Sequence, residues 1–297
     1  MRQKVRITAA AILLVLLAAA YPARLAASAP RNLIVLLDFR ENVLGVENAV
    51  DFLFNNMLEP GDQLIIQSPA RVYGFSAKTL AQPKAQLASA MREKLRSDVS
   101  KATQNYKQIV ADLQIASRNI ASFAYPDLES DGGIPETRDM GELFVFYRQG
   151  LANLLNLRKI NDAALRQLAG AFKGQKGGNH LIILFEREFR PVPRREALNA
   201  LADMPKFAFL ANELFTIGAT KEPFDVAALI EYFRQVPLTQ DFIYVTSKTS
   251  SASANQIENS GDVYSAFSQI AKATGGVMVT TAEPADGLKA ILKSWKE

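Results

Sequence analysis

The sequence predicts an α/β protein with a doubly wound, mostly parallel sheet flanked by helices, into which a long antiparallel helical hairpin is inserted. Two short apolar runs, residues 33–37 and 181–185, suit strands that are buried on both faces of a parallel sheet. Strand and helix patterns also alternate towards the C-terminus. Between the two runs lies a heptad pattern that is too long for a helix confined to one sheet.

The composition and the absence of certain motifs exclude several classes of function. The 297 residues are 48% hydrophobic and 22% charged, which is ordinary for a globular protein. The net charge of +4 is mild and the basic residues are spread out, so we expect no nucleic-acid partner. Neither G-x-x-x-x-G-K-[ST] nor a G-x-G-x-x-G after the first strand occurs, and we expect no nucleotide. The absence of cysteine excludes disulfides and thiol chemistry.

The first 29 residues have the pattern of a secretory signal peptide. Arg2, Lys4 and Arg6 precede an apolar run over 7–20 and small residues up to Ala29. The pattern predicts a secreted or periplasmic location in the cell envelope. Alternatively the segment is retained as an N-terminal anchor, although its apolar run is shorter than the roughly 20 residues that span a bilayer. We expect membrane contact only through such an uncleaved segment.

The first unit of the chain is strand, helix, strand, strand. Asp38 directly follows the first apolar run, and Asn42 can cap a helix whose apolar residues recur at helical spacing over 46–57. A Pro-Gly-Asp turn ends this helix. The segments 64–67 and 72–75 then predict two short antiparallel strands.

Residues 80–160 form the predicted helical insert. Apolar residues alternate by fours and threes over 87–123 and again over 140–154, which is coiled-coil patterning. Turn residues at 131–135 separate the two seams. Two seams joined by a turn most simply make an antiparallel hairpin.

The second half returns to alternating elements. A short helix after Asn161 leads to the strand that ends at Glu186. Residues 205–238 form a smaller insert, in which 214–217 suggest a strand and 225–233 a capped helix. The remaining elements are a strand at 242–246, a helix at 263–273, a strand at 277–281 and a helix at 285–295.

Three local motifs, in this order, resemble a von Willebrand factor type A domain. They are the Leu-Leu-Asp38 end of the first strand, the Leu-Glu-Pro-Gly-Asp of 58–62, and the Ile-Ala-Lys-Ala-Thr-Gly-Gly of 270–276. The resemblance covers 32–75 and 180–295 within a domain that we place at 32–297. It implies a central sheet flanked by helices and, typically, a role in binding other proteins.

Many members of that family hold Mg²⁺ above the sheet, with a D-x-S-x-S motif, a threonine and a second aspartate. Asp38 matches the first position, whereas Arg40 and Asn42 replace the serines. Glu186 stands in place of the second aspartate, and Thr137 is a candidate for the threonine. The resemblance therefore implies a degenerate metal site.

Three interpretations of this site differ in where the Arg40 side chain lies and in whether a metal binds. A guanidinium has no acceptor and is always charged, so it cannot bind a metal. Our hypothesis is that Arg40 substitutes for the cation and pairs with Asp38 and Glu186, with no cofactor present. Alternatively Arg40 points to solvent and Asp38 caps a loop, or Mg²⁺ binding is retained.

Four further arginines, Arg187, Arg190, Arg194 and Arg195, follow the second buried strand. The fold would place them near the C-terminal edge of the sheet, here called the upper rim. Arginine favours bidentate recognition of carboxylates, so an acidic protein is a candidate partner for them and for Arg40. A solvated loop is the alternative.

The sequence favours an exported, non-catalytic protein–protein interaction module of the adhesion or scaffold kind. It would bind through the upper rim, the hairpin, or both. The alternatives are a Mg²⁺-dependent adhesion domain and an exported hydrolase that uses carboxylates such as Asp38, Glu186 and Glu188. His180 is the only histidine and begins a strand, so no catalytic triad can be argued from it.

Overall fold

The structure is a computed structural model that describes residues 30–124, 139–158, 160–216, 224–246 and 255–296. The predicted signal segment, Thr137 and the turn at 131–135 lie outside the described residues. Among the residues described, no helix combines the length and apolar character needed to cross a membrane.

The strands are β1 (Arg31–Asp38), β2 (Gln63–Gln67), β3 (Val72–Phe75), β4 (Gly178–Glu186), β5 (Phe189–Pro191), β6 (Thr239–Val245), β7 (Gln256–Glu258) and β8 (Met278–Thr281). Six of them form one sheet in the order β3-β2-β1-β4-β6-β8, and only β3 is antiparallel to its neighbour. This confirms the predicted doubly wound, mostly parallel sheet, and it fits a Rossmann-like or von Willebrand factor A-like arrangement.

The helices are α1 (Val43–Phe52), α2 (Ala77–Leu80), α3 (Lys84–Ala124), α4 (Met140–Asn156), α5 (Asp162–Gly170), α6 (Arg195–Ala202), α7 (Ala208–Thr216), α8 (Val226–Gln235), α9 (Gly261–Ala273) and α10 (Pro284–Ser294). A π-helical turn, Leu53–Met57, extends α1. One face of the sheet packs against α1, α10 and the first part of α3. The other face packs against α5, α8 and α9.

The long helix α3 belongs to two hydrophobic cores. Its 41 residues extend for roughly 60 Å. Residues up to Val99 pack on the sheet side, whereas residues from Tyr106 onwards pack against α4, α6 and α7. We call this second unit, formed by residues 106–124 with α4, α6 and α7, the helical bundle.

The predicted antiparallel hairpin is the centre of the helical bundle. α3 and α4 approach so closely at Gly150 that a Cβ there would lie 2.7 Å from Leu113 Cδ2. The Phe207 ring packs on the Phe123 ring near the end of α3, with 5.0 Å between their centroids. α7 therefore starts at the far end of the bundle, where α4 also starts.

The structure differs from the sequence predictions at two places. The strand suggested at 214–217 is wrong, because α7 is helical through Thr216 and turns Ala211 and Leu214 into the bundle. A short apolar run cannot distinguish a strand from a buried helix. The ribbon of β5 and β7 was not predicted, since each strand has only three residues.

Candidate functional site

The candidate site lies at the upper rim, where the neighbouring strands β1 and β4 end. These strands pair in parallel with Asp38 opposite Phe185, so Asp38 and Glu186 leave the sheet side by side. The chain leaves these two central strands towards opposite halves of the sheet, which is where doubly wound proteins form ligand crevices. The loops after the two strands supply the remaining groups.

Arg40 turns inward from the loop after β1 and is only 2% exposed. Its Nη1 lies 2.5 Å from Asp38 Oδ1, while its Nε and Nη2 lie 2.9 and 2.8 Å from Glu188 Oε1. Burial lowers the pKa of Arg40, but the charges of Asp38 and Glu188 more than offset this and raise it overall. The side-chain partners are therefore Asp38 and Glu188, which corrects the predicted pairing with Glu186.

Glu186 instead binds the backbone of the same loop. One of its carboxylate oxygens accepts the N–H groups of Arg40, Glu41 and Asn42 at 2.7, 2.8 and 3.1 Å. Burial raises the pKa of Glu186, although the three amides favour its charged form. The Asn42 side chain accepts the Gly45 N–H at 2.8 Å and thus caps α1, as the sequence predicted.

A second buried arginine, Arg158, completes the site. Its Nε donates to Glu188 at 2.9 Å and its Nη1 to Asp262 at 2.8 Å, and it also donates to the Asn259 carbonyl. We call Asp38, Arg40, Arg158, Glu188 and Asp262 the rim ion network. It joins the loop after β1, the loop between β4 and β5, the loop after α4 and the start of α9. The roles of Arg158 and Asp262 were missed because no sequence pattern links such distant positions.

The donor set of the rim does not fit Mg²⁺. That ion demands a near-octahedral shell of oxygens. Here Asp38 and Glu188 face guanidinium groups, and Glu186 receives three amides. Among the described residues, no group of three or more His, Cys, Asp and Glu side chains could hold a metal ion.

We expect calorimetric titration of Mg²⁺ or Mn²⁺ into the metal-stripped protein to show no saturable binding. The physical reason is that the Arg40 guanidinium already holds the carboxylates that a metal would need. The control is Asp38→Ala under the same conditions. Saturable heat in the wild-type protein that disappears in Asp38→Ala would contradict the expectation.

The helical bundle stands directly on the upper rim. Tyr106 donates its hydroxyl to the Phe189 carbonyl at 3.0 Å, and Tyr147 donates to the Pro191 carbonyl at 2.9 Å. The tyrosine hydroxyls of α3 and α4 thus donate hydrogen bonds to the first and the last residue of β5. Buried below this contact, the Arg40 guanidinium is out of direct reach of a protein partner, contrary to the expectation that it contacts one.

The structure does not gather the other four arginines into one basic patch. Arg187 binds Glu258 at 2.6 Å and lies over the Phe189 ring. Arg190 is buried, and burial lowers its pKa. Arg194 and Arg195 are exposed at the start of α6.

Exposed apolar side chains concentrate on the helical bundle. The described residues expose eleven large hydrophobic side chains. Seven of them belong to the helical bundle: Ile115, Phe123, Val145, Phe146, Leu155, Phe209 and Phe215. The bundle has a hydrophobic core formed by other side chains, and none of these seven belongs to the buried residues of that core. Concentrated apolar exposure is typical of an interaction site.

Val145 and Phe209 are the most exposed of the seven, at 64% and 75%. Arg148 on α4 reaches Glu213 on α7 at 3.4 Å. Val145 precedes Arg148 by three residues and Phe209 precedes Glu213 by four, spacings that share a helix face. Since both helices start at the far end of the bundle, the two side chains lie on the same side of this ion pair. We call these four residues the outer patch.

Two titratable groups with shifted pKa values, the partly buried His180 and the fully buried Asp241, lie at the opposite edge of the sheet. The His180 ring contacts the Trp295 ring in a tilted arrangement, with 4.0 Å between their centroids, and its partial burial lowers the pKa of His180 to about 4. Asp241 accepts the Val277 N–H at 2.8 Å and the Trp295 indole N–H at 3.3 Å, while burial raises its pKa to about 6. Neither group contacts the rim ion network in the described chain.

These shifts predict opposing pH dependences. Asp241 binds its proton more tightly in the folded state, so its contribution to stability falls as pH rises from about 4 to 6. The contribution of His180 rises as pH increases from about 4 to 6.5. We expect Asp241→Asn to steepen the rise of stability over this range, and His180→Phe to reverse it, each by about 2 kcal/mol after solvent screening. Urea unfolding from pH 4.5 to 7.5 measures both; parallel profiles for all three proteins would contradict the assignment.

Comparisons with known proteins show a likeness to solved structures. No protein-family model matches the chain, and no curated protein matches it. One similar solved structure is that of an aerotolerance-related membrane protein from Bacteroides fragilis NCTC 9343 with multiple mutations to serines. The similarity covers 89% of this chain and 97% of that chain, with a TM-score of 0.39 and 10% sequence identity. The assignment of function therefore rests on the site and surfaces of this chain.

Proposed function

We propose that this protein is an exported, non-catalytic protein–protein interaction module with a von Willebrand factor A-like sheet. In this proposal it works in the periplasm or outside the cell and binds an envelope or extracellular protein through the outer patch of its helical bundle. The observation that carries the proposal is the exposed apolar surface of the bundle, centred on Val145 and Phe209. The export step rests on the signal-like pattern of residues 1–29.

The chemistry of the rim supports a role other than catalysis. A general acid or base must be able to reach a substrate proton. The carboxylate of Glu188 is fully buried and accepts hydrogen bonds from two guanidinium groups. The carboxylate of Glu186 accepts hydrogen bonds from three backbone N–H groups. Asp38 is buried against Arg40. In the proposed function the rim ion network has a structural role and holds the bundle in a fixed position on the sheet.

The outer patch has the composition of a small protein-binding site. Single exposed apolar residues are common on protein surfaces and need no explanation. Here the aromatic Phe209 and the branched Val145 lie beside an exposed ion pair, on two adjacent helices. Aromatic anchors surrounded by polar groups are the usual composition of interface hot spots. A partner that offers an apolar pocket to Phe209 and polar groups to Arg148 and Glu213 would complete the surface.

Site-specific photo-crosslinking in the producing cells tests the proposal. We expect a photoreactive amino acid at Val145 to give one dominant protein adduct, and the same adduct from Phe209. The control position is Val72 on β3, which is 63% exposed but lies on the sheet, away from the bundle. Phe209→Glu should remove the Val145 adduct and weaken binding of the purified partner at least tenfold. The same adduct from all three positions, or none from the bundle, would contradict the proposal.

A further inference from the structure

A second recognition feature lies on another side of the bundle. A half-open cavity of about 270 Å³ separates α3 from the β5–β7 ribbon. One wall is a helix face that presents Ser117 and Arg118, and the other wall presents Arg194, Asn255 and Gln256. The cavity is distinct from the rim ion network and from the outer patch, because it shares no residue with either.

The lining is cationic and rich in hydrogen-bond donors. Arg118 and Arg194 bring two guanidinium groups to the lining, and Asn255 and Gln256 add side-chain amides. No acidic side chain lines the cavity in the described part of the chain. Ala121 and Val192 supply apolar surface beside these groups. The chemistry suits an anionic group carried on a small apolar stem.

The buried hydroxyl of Ser117 is an independent observation that points to a ligand at this cavity. The residue is only 6% exposed, and its Oγ has no hydrogen-bond partner within the described structure. An unsatisfied buried hydroxyl costs about 1–3 kcal/mol, so such groups normally have a partner. A ligand oxygen in the cavity that Ser117 lines would accept this hydroxyl.

We propose that the cavity between α3 and the β5–β7 ribbon binds a carboxylate group, with Arg118 and Arg194 as its cationic contacts and Ser117 as a hydroxyl donor. Arginine forks match carboxylates bidentately. Phosphate sites are usually built from free backbone N–H groups at helix N-termini or glycine-rich loops, whereas this wall is the middle of a helix with its amides already used.

Two sources can supply the carboxylate, an acidic polypeptide segment and a free small acid. The polypeptide source rests on the proposed function, since it would give the partner a second anchor beside the outer patch. The small-acid source does not depend on it. The two sources share one chemistry at the cavity, and different probes separate them.

Nuclear magnetic resonance and calorimetry with three probes test the site. The probes are succinate, an acetylated Leu-Asp-Glu peptide with a free C-terminus, and inorganic phosphate. We expect one of the carboxylate probes to shift the resonances of Ser117 and Arg118 and to saturate, with phosphate weaker by at least tenfold. Tighter binding of the peptide would identify a polypeptide ligand, and tighter binding of succinate a small acid.

Matched variants make the test specific. Arg118→Glu should weaken the better probe about tenfold or more, and Ser117→Ala severalfold. The control is Lys107→Glu, an exposed residue of the same helix that changes net charge equally and does not line the cavity. No saturable carboxylate binding, stronger phosphate binding, or equal loss in Lys107→Glu would overturn the proposal. Crosslinking from Phe209 in the Arg118→Glu variant reports on the outer patch separately, so the two proposals can fail independently.

Discussion

Replacing Arg40 with alanine is expected to lower the free energy of unfolding by about 3–5 kcal/mol. The substitution leaves Asp38 and Glu188 buried with less compensating charge, and both are fully excluded from solvent. Removing one partner of a buried ion pair costs far more than the pair itself contributes. Urea unfolding of the mature protein at pH 7 measures the loss.

Two further variants sharpen this prediction. Arg40→Lys keeps the charge but loses the planar fork that contacts both carboxylates, so we expect an intermediate loss. Arg96→Ala removes an exposed partner of Glu47 and should cost less than about 1 kcal/mol. If Arg40→Ala were as mild as Arg96→Ala, the rim ion network would not have the structural role that we infer.

Replacing Leu201 with alanine is expected to destabilise the whole protein by about 2–5 kcal/mol in a single transition. Leu201 is fully buried in the bundle core, where the lost side chain would leave a cavity. α3 contributes side chains to both the sheet core and the bundle core, so melting the bundle removes support from the sheet. Both units should therefore unfold together.

Two optical signals distinguish this outcome from separate unfolding. Trp295 is the only tryptophan and packs on His180 beside the sheet, so its fluorescence reports the sheet. Far-ultraviolet circular dichroism reports mainly the helices. We expect both midpoints to shift equally in Leu201→Ala, with Leu165→Ala in the sheet core as a matched control. A circular dichroism transition that precedes an unchanged fluorescence transition would show that the bundle unfolds alone.

Much of the fold could be predicted because local patterns carry it. The apolar runs that became β1 and β4, and the heptad seams of α3 and α4, are long enough for their periodicity to identify them. Segments near 214–217 were misassigned, because a run of a few apolar residues suits a strand and a buried helix equally. The three-residue ribbon strands are held by their tertiary context and leave no comparable pattern.

The candidate site was predictable in part. The D-x-R-x-N departure at Asp38 raised the question of what replaces a metal, and it drew attention to Arg40. Its partner Glu188 lies 148 residues away, and no local spacing shows which of several acidic side chains will turn inward. Arg118, which lines the cavity, was missed because on the sequence it is one of many polar residues off a heptad seam.

The sequence by itself determined the sheet, its helical layers and the inserted hairpin, because alternation and heptad spacing are properties of neighbouring residues. Only the tertiary structure decided that the hairpin recruits α6 and α7 into a bundle standing on the upper rim. It also decided that Arg40 and Arg158 fill the rim as buried cations. The reason is physical: burial, charge pairing and cavity shape depend on which distant segments meet, and that information exists only once the chain has packed.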